Sequence, residues 1–177
     1  MNKIIKLTLF LAVVAGLSGA ALSFVYQMTD PIIQEAAIAS EKENLVKIYN
    51  SGEEFKALDT GLADYTALQG CYEASSGGTV KGYVYKCSVT GYGGASTPIV
   101  YLIALDKDGT YKGYEVIDCS GETSGFGSKV AEEGFKSGIV GKSIDESIDV
   151  ISGATISSSA VVDGINQATE HYNANFK

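Results

Sequence analysis

Between Lys6 and Asp30 the chain carries no charged side chain, and Leu7 to Val25 reads LTLFLAVVAGLSGAALSFV. A helix needs about 20 apolar residues to cross a hydrocarbon core of roughly 30 Å, and this run meets that length. A cleavable signal peptide is the competing reading, since its apolar region runs about 7–15 residues and ends in small side chains. The longer run, without a clean Ala-x-Ala site, favours a retained transmembrane helix. Lys3 and Lys6 precede it, while Asp30, Glu35, Glu41 and Glu43 follow. That asymmetry puts the N-terminus in the cytoplasm and the remaining chain on the extracytoplasmic face of the cell membrane. Residues 1–29 are then a cytoplasmic N-terminus and single-pass anchor, with lipid against residues 7–29. Ala12, Gly16 and Ala20 form a small-residue stripe, which suits close approach of a second helix but is also common in any membrane span.

Beyond the anchor, Asp30-Pro31 reads as an N-cap followed by proline at the first helical position. Apolar residues at Ile33, Ala37, Leu45 and Ile48 recur at helical spacing, and Asn50-Ser51-Gly52 closes the helix. Residues 30–64 are therefore expected to form a stalk helix and linker. From Tyr65 to Asp118 the pattern turns to strands. TVKGYVYKCSV over 79–89 alternates after a turn at Ser75-Ser76-Gly77-Gly78, and PIVYLIAL over 98–105 is a second run. Asp106-Lys107-Asp108-Gly109 is a hairpin signal leading into TYKGYEVI over 110–117. A short helix is expected over Ser128–Phe135. A last helix is expected over Ser157–Tyr172, with Val161, Ile165, Ala168 and Tyr172 on one face. The sum is an α+β protein: a transmembrane helix, then one domain over 65–177 with an antiparallel sheet and packed helices.

Charge and residue usage then remove whole classes of function. The 177 residues carry a net charge of −8, and all 13 basic residues are lysine. An acidic body without arginine is a poor binder of nucleic acid, and it lacks the fork that grips a free phosphate in two bonds. The single histidine, His171, leaves almost no material for a His-based triad or metal cluster. Cys71, Cys87 and Cys119 are not spaced as metal ligands. The turn at 76–79 would not set Cys71 opposite Cys87, so buried or free thiols are expected in place of a bridge. No phosphate-cradling glycine motif follows a strand.

What remains is three glycine-rich segments, each at the end of a regular element. Gly91-Tyr92-Gly93-Gly94 follows one strand, Gly121-Glu122-Thr123-Ser124-Gly125-Phe126-Gly127 follows another, and Ser152-Gly153-Ala154-Thr155 precedes the last helix. Glycine lets backbone approach a flat ring closely, and Tyr92 or Phe126 could stack on it. Thr155 has two readings here: a plain helix cap, or a hydroxyl presented on a bare loop to carry something large.

These segments, GYVYKCSVTGYGG, DKDGTYKGYEVIDCSGETSGFG and DVISGATISS, resemble the FMN-binding domain of Rnf electron-transfer complex G subunits. The C subunit of sodium-translocating NADH:quinone reductases shares that domain. The resemblance implies FMN held covalently, by a phosphodiester to Thr155 (phosphothreonyl-FMN) that a flavin transferase makes during maturation. The attachment motif falls on Asp149, Ser152, Gly153, Ala154 and Thr155, and a ring-contacting loop falls on Glu122, Thr123, Phe126 and Gly127, with Tyr92 nearby. Ser124, Ser120 and Phe126 stand where the family usually has proline, histidine and leucine. The implied function is electron relay inside a ferredoxin:NAD+ oxidoreductase coupled to ion translocation, beside other subunits of that membrane complex. No side chain is expected to act as a catalyst, and no metal is implied. A stand-alone extracytoplasmic flavoprotein carrier and the quinone-reductase subunit are the alternatives.

Overall fold

A computed structural model describes residues 3–49 and 54–177. They divide into two compact units, Met1–Ala39 and Ser40–Lys177. Helix α1 spans Lys3–Tyr49. In the first unit its stretch Lys3–Tyr26 has a mean hydropathy of 2.1 with none of it buried, which makes it long and apolar enough to cross a membrane. The Thr8 hydroxyl donates to the Ile4 carbonyl at 2.9 Å, so this polar group is satisfied within the helix itself. The expected helix start at Asp30-Pro31 is corrected: the backbone is helical through both residues. A proline inside a helix costs about 3 kcal/mol, because it removes one backbone bond and its ring crowds the carbonyl four residues before it. Here helical turns already stand on either side, so a single backbone bond is lost and the helix continues. Asn50-Ser51-Gly52, read as its end, lies outside the described residues, as do the side chains of Ile33 and Ala37.

The second unit is built on a five-stranded sheet whose strands pair in chain order, every neighbour antiparallel. They are β1 (Glu54–Leu58), β2 (Leu68–Ser76), β3 (Thr79–Val89), β4 (Ile99–Asp106) and β5 (Tyr111–Asp118). The last three are the strands the sequence pattern predicts. β1 and most of β2 are additions, and β1 comes from the segment read as linker. Cys71 pairs with Tyr85 and Cys87 with Leu68, so the two cysteines are not opposite each other and all three cysteines are free thiols.

Helix α3 (Thr155–Asn175) covers one face of this sheet. Val161, Ile165, Ala168 and Tyr172 are buried against Tyr85, Cys87, Tyr101, Ile103 and Leu105, which point to the same side of β3 and β4. Tyrosine hydroxyls anchor the packing: Tyr101 donates to the Val161 carbonyl at 2.8 Å, and Tyr172 to the Lys107 carbonyl at 2.7 Å. The opposite face is covered by the last turns of α1. Leu45 and Tyr49 are fully buried there, and Glu41 forms an ion pair with Lys86. Gly82 and Gly113 permit this closeness, because a Cβ on either would collide with Tyr49 or Ile48. A sheet buried on both faces explains why β4 reads as an unbroken apolar run and not as an alternation.

The helix expected over Ser128–Phe135 is corrected to two short pieces. A 3-10 turn occupies Gly127–Ala131, and α2 occupies Glu133–Ser137. Glu132, with φ −82° and ψ 153°, is extended and separates them. Gly134 within α2 and Gly138 after it leave too little helix propensity to bridge that break.

Candidate functional site

The three glycine-rich segments come together at the N-terminal end of α3. Their junction is one buried carboxylate, that of Glu122. Its Oε1 accepts the Gly93 amide at 3.1 Å, and its Oε2 accepts the Ser157 hydroxyl in a short bond. The glycines on either side are required by this arrangement: a Cβ at Gly91 would lie 2.3 Å from Oε1, and one at Gly127 would lie 2.4 Å from Oε2. Where β5 ends, the Ser120 amide donates to Asp118 Oδ1 at 2.8 Å. That bond holds the Asp118 carboxyl below the usual carboxylate range and turns the chain into the 121–127 loop.

Just before α3, the Ala154 amide donates to the Ile151 carbonyl at 3.0 Å, closing a four-residue turn with Gly153 at φ +83°. A positive φ at the third position of such a turn is the reason for glycine there. The turn is braced from behind by Ser158, whose hydroxyl accepts the Ile151 amide at 3.0 Å and donates to the Ala154 carbonyl at 2.9 Å. Thr155 is the first residue of α3, and Ala154 occupies the capping position with no side-chain cap bond. The plain helix-cap reading of Thr155 is therefore corrected. Its side chain is exposed, and its hydroxyl bonds to nothing among the described residues. The first intrahelical bond is from the Ser158 amide, so the amides of residues 155–157 point outward at the positive end of the helix dipole.

Between these loops and the first turn of α3 lies a cleft of about 410 Å³. It is lined by Tyr92, Thr123, Phe126, Gly127, Gly153, Ala154, Thr155, Ile156 and Ser157. Three of these residues are large and apolar yet mostly exposed: Tyr92 at 67%, Phe126 at 58% and Ile156 at 59%. Lys129 places its Nζ 6.0 Å from the centre of the Phe126 ring. The shape is that of a site for a flat, partly apolar molecule with an anionic end: aromatic faces beside the cleft, and helix amides at one rim.

Of the residues picked out in the sequence, seven line this cleft: Tyr92, Thr123, Phe126, Gly127, Gly153, Ala154 and Thr155. Glu122 is behind the wall, with its carboxylate turned inward. Ser152 is exposed in the turn and does not line the cleft. Asp149 borders a neighbouring cleft of about 360 Å³ with Lys129, Glu132 and Ile151. Ile156 and Ser157 are lining residues that the sequence reading passes over. An apolar side chain at 156, off the buried stripe of α3, was the available signal for the first.

Residues 91–170 match the FMN-binding domain family. This stretch holds both upstream glycine loops, β4, β5 and most of α3, so the whole cleft lies within the matched domain. Over nearly its full length the chain also resembles G subunits of ion-translocating oxidoreductase complexes. It is 26% identical over 180 residues to the G subunit of the proton-translocating ferredoxin:NAD(+) oxidoreductase complex of Clostridium ljungdahlii, covering 96% of this chain and 91% of that one. It is 27% identical over 194 residues to the G subunit of the Na(+)-translocating ferredoxin:NAD(+) oxidoreductase complex of Acetobacterium woodii, covering 96% and 91%. The crystal structure of NqrC from Shewanella oneidensis aligns with a TM-score of 0.45 and 20% identity, over 60% of this chain and 61% of that one.

Proposed function

We propose that this chain is the FMN-carrying G subunit of an Rnf-type ferredoxin:NAD+ oxidoreductase complex, relaying electrons while the complex moves ions. The observation that carries the reading is Thr155: an unbonded, exposed hydroxyl at the rim of an aromatic-walled cleft, at the start of a helix with outward amides. Bound FMN supplies electron transfer in steps of one or two electrons, and the protein's task is to hold it and set its electronic surroundings.

The chain's own residues divide that work. Thr155 would carry the FMN phosphate as a phosphodiester, and the amides of residues 155–157 would offset its charge, a role that free arginines would otherwise take. Tyr92 and Phe126 flank the ring, while Thr123 and Gly127 form the wall between them. Ser152 and Gly153 keep the approach to Thr155 free of bulk, which gives a flavin transferase room. Asp149, outside the cleft, is left to contact that enzyme. Residues 1–29 anchor the protein in lipid with the N-terminus in the cytoplasm, and the unit from Ser40 onward, which includes β1 and the last turns of α1, works on the extracytoplasmic face. A covalent tether suits that side of the membrane, because a flavin lost there has no surrounding pool to replace it.

The test uses full-length protein purified from its native membrane. Its band is expected to fluoresce as a flavin after denaturing electrophoresis, and the peptide containing Thr155 to gain the mass of an FMN phosphodiester. Thr155→Ala should abolish both while changing stability by less than about 0.5 kcal/mol, as surface substitutions do. A fluorescent Thr155→Ala band would sink the tether assignment.

A further inference from the structure

The resemblance that singles out Glu122 implies a side chain touching the flavin ring, but the geometry gives it other partners. Both oxygens are occupied as acceptors, one by the Gly93 amide and one by the Ser157 hydroxyl. The residue is 8% exposed, and Gly91 and Gly127 close over the two oxygens without side chains. No lysine pairs with it: among the described residues the ion pairs are Lys47–Glu43, Lys86–Glu41, Lys112–Asp106 and Lys136–Glu115. Its donors are neutral, and the first turn of α3, to which Ser157 belongs, favours a negative charge at that place. Glu122 is thus a buried carboxylate without a counter-ion, one layer behind Gly127 and Ser157, which line the cleft.

We infer that Glu122 is a positioning residue that also lowers the reduction potential of the FMN held at Thr155, through its uncompensated buried charge. The inference rests on the proposed FMN site and goes further, since it assigns the flavin's electronic bias to a residue that does not touch it. At neutral pH, two electrons and one proton convert oxidised flavin to a reduced ring one unit more negative. A fixed negative charge behind the wall opposes that added charge. Acting across one layer of protein of moderate dielectric, one such charge would change an equilibrium constant by about tenfold or more. The same carboxylate ties the 91–94 loop, the 121–127 loop and α3 together, so its position behind the cleft wall is fixed.

Glu122→Gln keeps the shape and removes the charge: its amide oxygen can still accept from the Gly93 amide, while its NH2 donates to a Ser157 hydroxyl turned to accept. Ser157→Ala removes one bond of the junction and keeps the charge. Each variant, as full-length protein in detergent, is titrated anaerobically with dithionite and mediators while the flavin absorbance is followed. Covalent loading is read separately from in-gel fluorescence. The expected result is a loaded Glu122→Gln whose flavin is easier to reduce, by about tenfold in the equilibrium constant, with a smaller shift in Ser157→Ala, which keeps the charge. A loaded Glu122→Gln with an unchanged potential overturns the inference, as do equal upward shifts in both variants, which would mark a purely structural clamp. Should Glu122→Gln fail to load, Glu122→Asp is expected to load and to keep a low potential; failure of both overturns the inference. Wild-type protein without any covalent flavin overturns the proposed function together with this inference, whereas a flavin-loaded wild type with an unmoved Glu122→Gln potential overturns this inference alone.

Discussion

The two ends of α3 are built on opposite plans. At its N-terminal end, glycine loops leave a cleft, aromatic side chains stand exposed, and three backbone amides and the Thr155 hydroxyl have nothing to bind among the described residues. At its C-terminal end the chain closes around His171, which is fully buried. Tyr85 shares a 3.0 Å hydrogen bond with its Nδ1, and its Nε2 donates to the Thr60 carbonyl. A carbonyl can only accept, so Nε2 carries a proton turned toward Thr60. Tyr65 and Phe176 pack around the ring, and Phe176 stacks on Tyr83 with centroids 3.8 Å apart. Unused bonding capacity belongs where a ligand is to bind, and saturated capacity where the fold is to hold. The comparison separates function from stability on one helix.

The largest predicted effect loosens the buried face beneath α3 with alkali. Burial pushes the Cys71 and Cys87 thiols up to about 12 from an ordinary 9.0. It raises the Tyr85 and Tyr101 hydroxyls as well. In the unfolded chain these thiols ionise near pH 9, but in the folded one they hold their protons to about pH 12. Stability is therefore complete below pH 9 and falls as pH rises through that window, by about 1.4 kcal/mol per unit for each thiol. Denaturant midpoints measured from about pH 8 to 11 are expected to drop steeply, and Cys71→Ala with Cys87→Ala to flatten the slope. A flat wild-type profile would show that these thiols do not govern it.

Substitution at the closed end comes next. His171→Ala removes a buried ring and leaves the Tyr85 hydroxyl and Thr60 carbonyl short of partners. A cost of about 3 kcal/mol follows from the lost packing and the unsatisfied groups. Flavin content should survive, because no residue of the cleft is touched. A stable His171→Ala protein that has lost its flavin would refute the division between the two ends.

How far the sequence discloses each region follows the same division. β3, β4 and β5 are legible because tyrosine, valine and isoleucine dominate them and a tight Asp108-Gly109 turn joins the last two. β2 hides, since its Gly70, Ala74 and Ser75 have weak strand preference and register shifts at Leu68/Gly70 and Ala74/Ser75 break the alternation. β1 is five residues at the sheet's edge, too short for periodicity to speak. At the site, glycine clusters and Thr155 are visible because small residues in a row need a reason. The inward turn of Glu122 is not, because its partners Gly93 and Ser157 lie 29 and 35 residues away, and only the folded loops bring them to it. His171 likewise reads as a stray histidine until Thr60 and Tyr85 surround it.

The smallest effect is the sharpest discriminator, because it exchanges like for like. Phe126 and Phe176 are both phenylalanines near the ends of the α3 face, one 58% exposed beside the cleft and one stacked on Tyr83. Phe176→Ala should cost about 1 kcal/mol of stability, the worth of a stacked aromatic pair, and leave the flavin's emission unchanged. Phe126→Ala should cost less than about 0.5 kcal/mol, since little of that ring is buried. Its effect falls instead on the cofactor: a flavin that loses a stacked ring fluoresces more brightly and tumbles more freely in the native protein. Denaturant unfolding and fluorescence anisotropy read the two quantities independently. If Phe126→Ala destabilised the fold as much as Phe176→Ala and left the anisotropy unmoved, Phe126 would be a packing residue. The open end of α3 would then lose its aromatic wall, and the cleft would rest on Tyr92 and Ile156 alone.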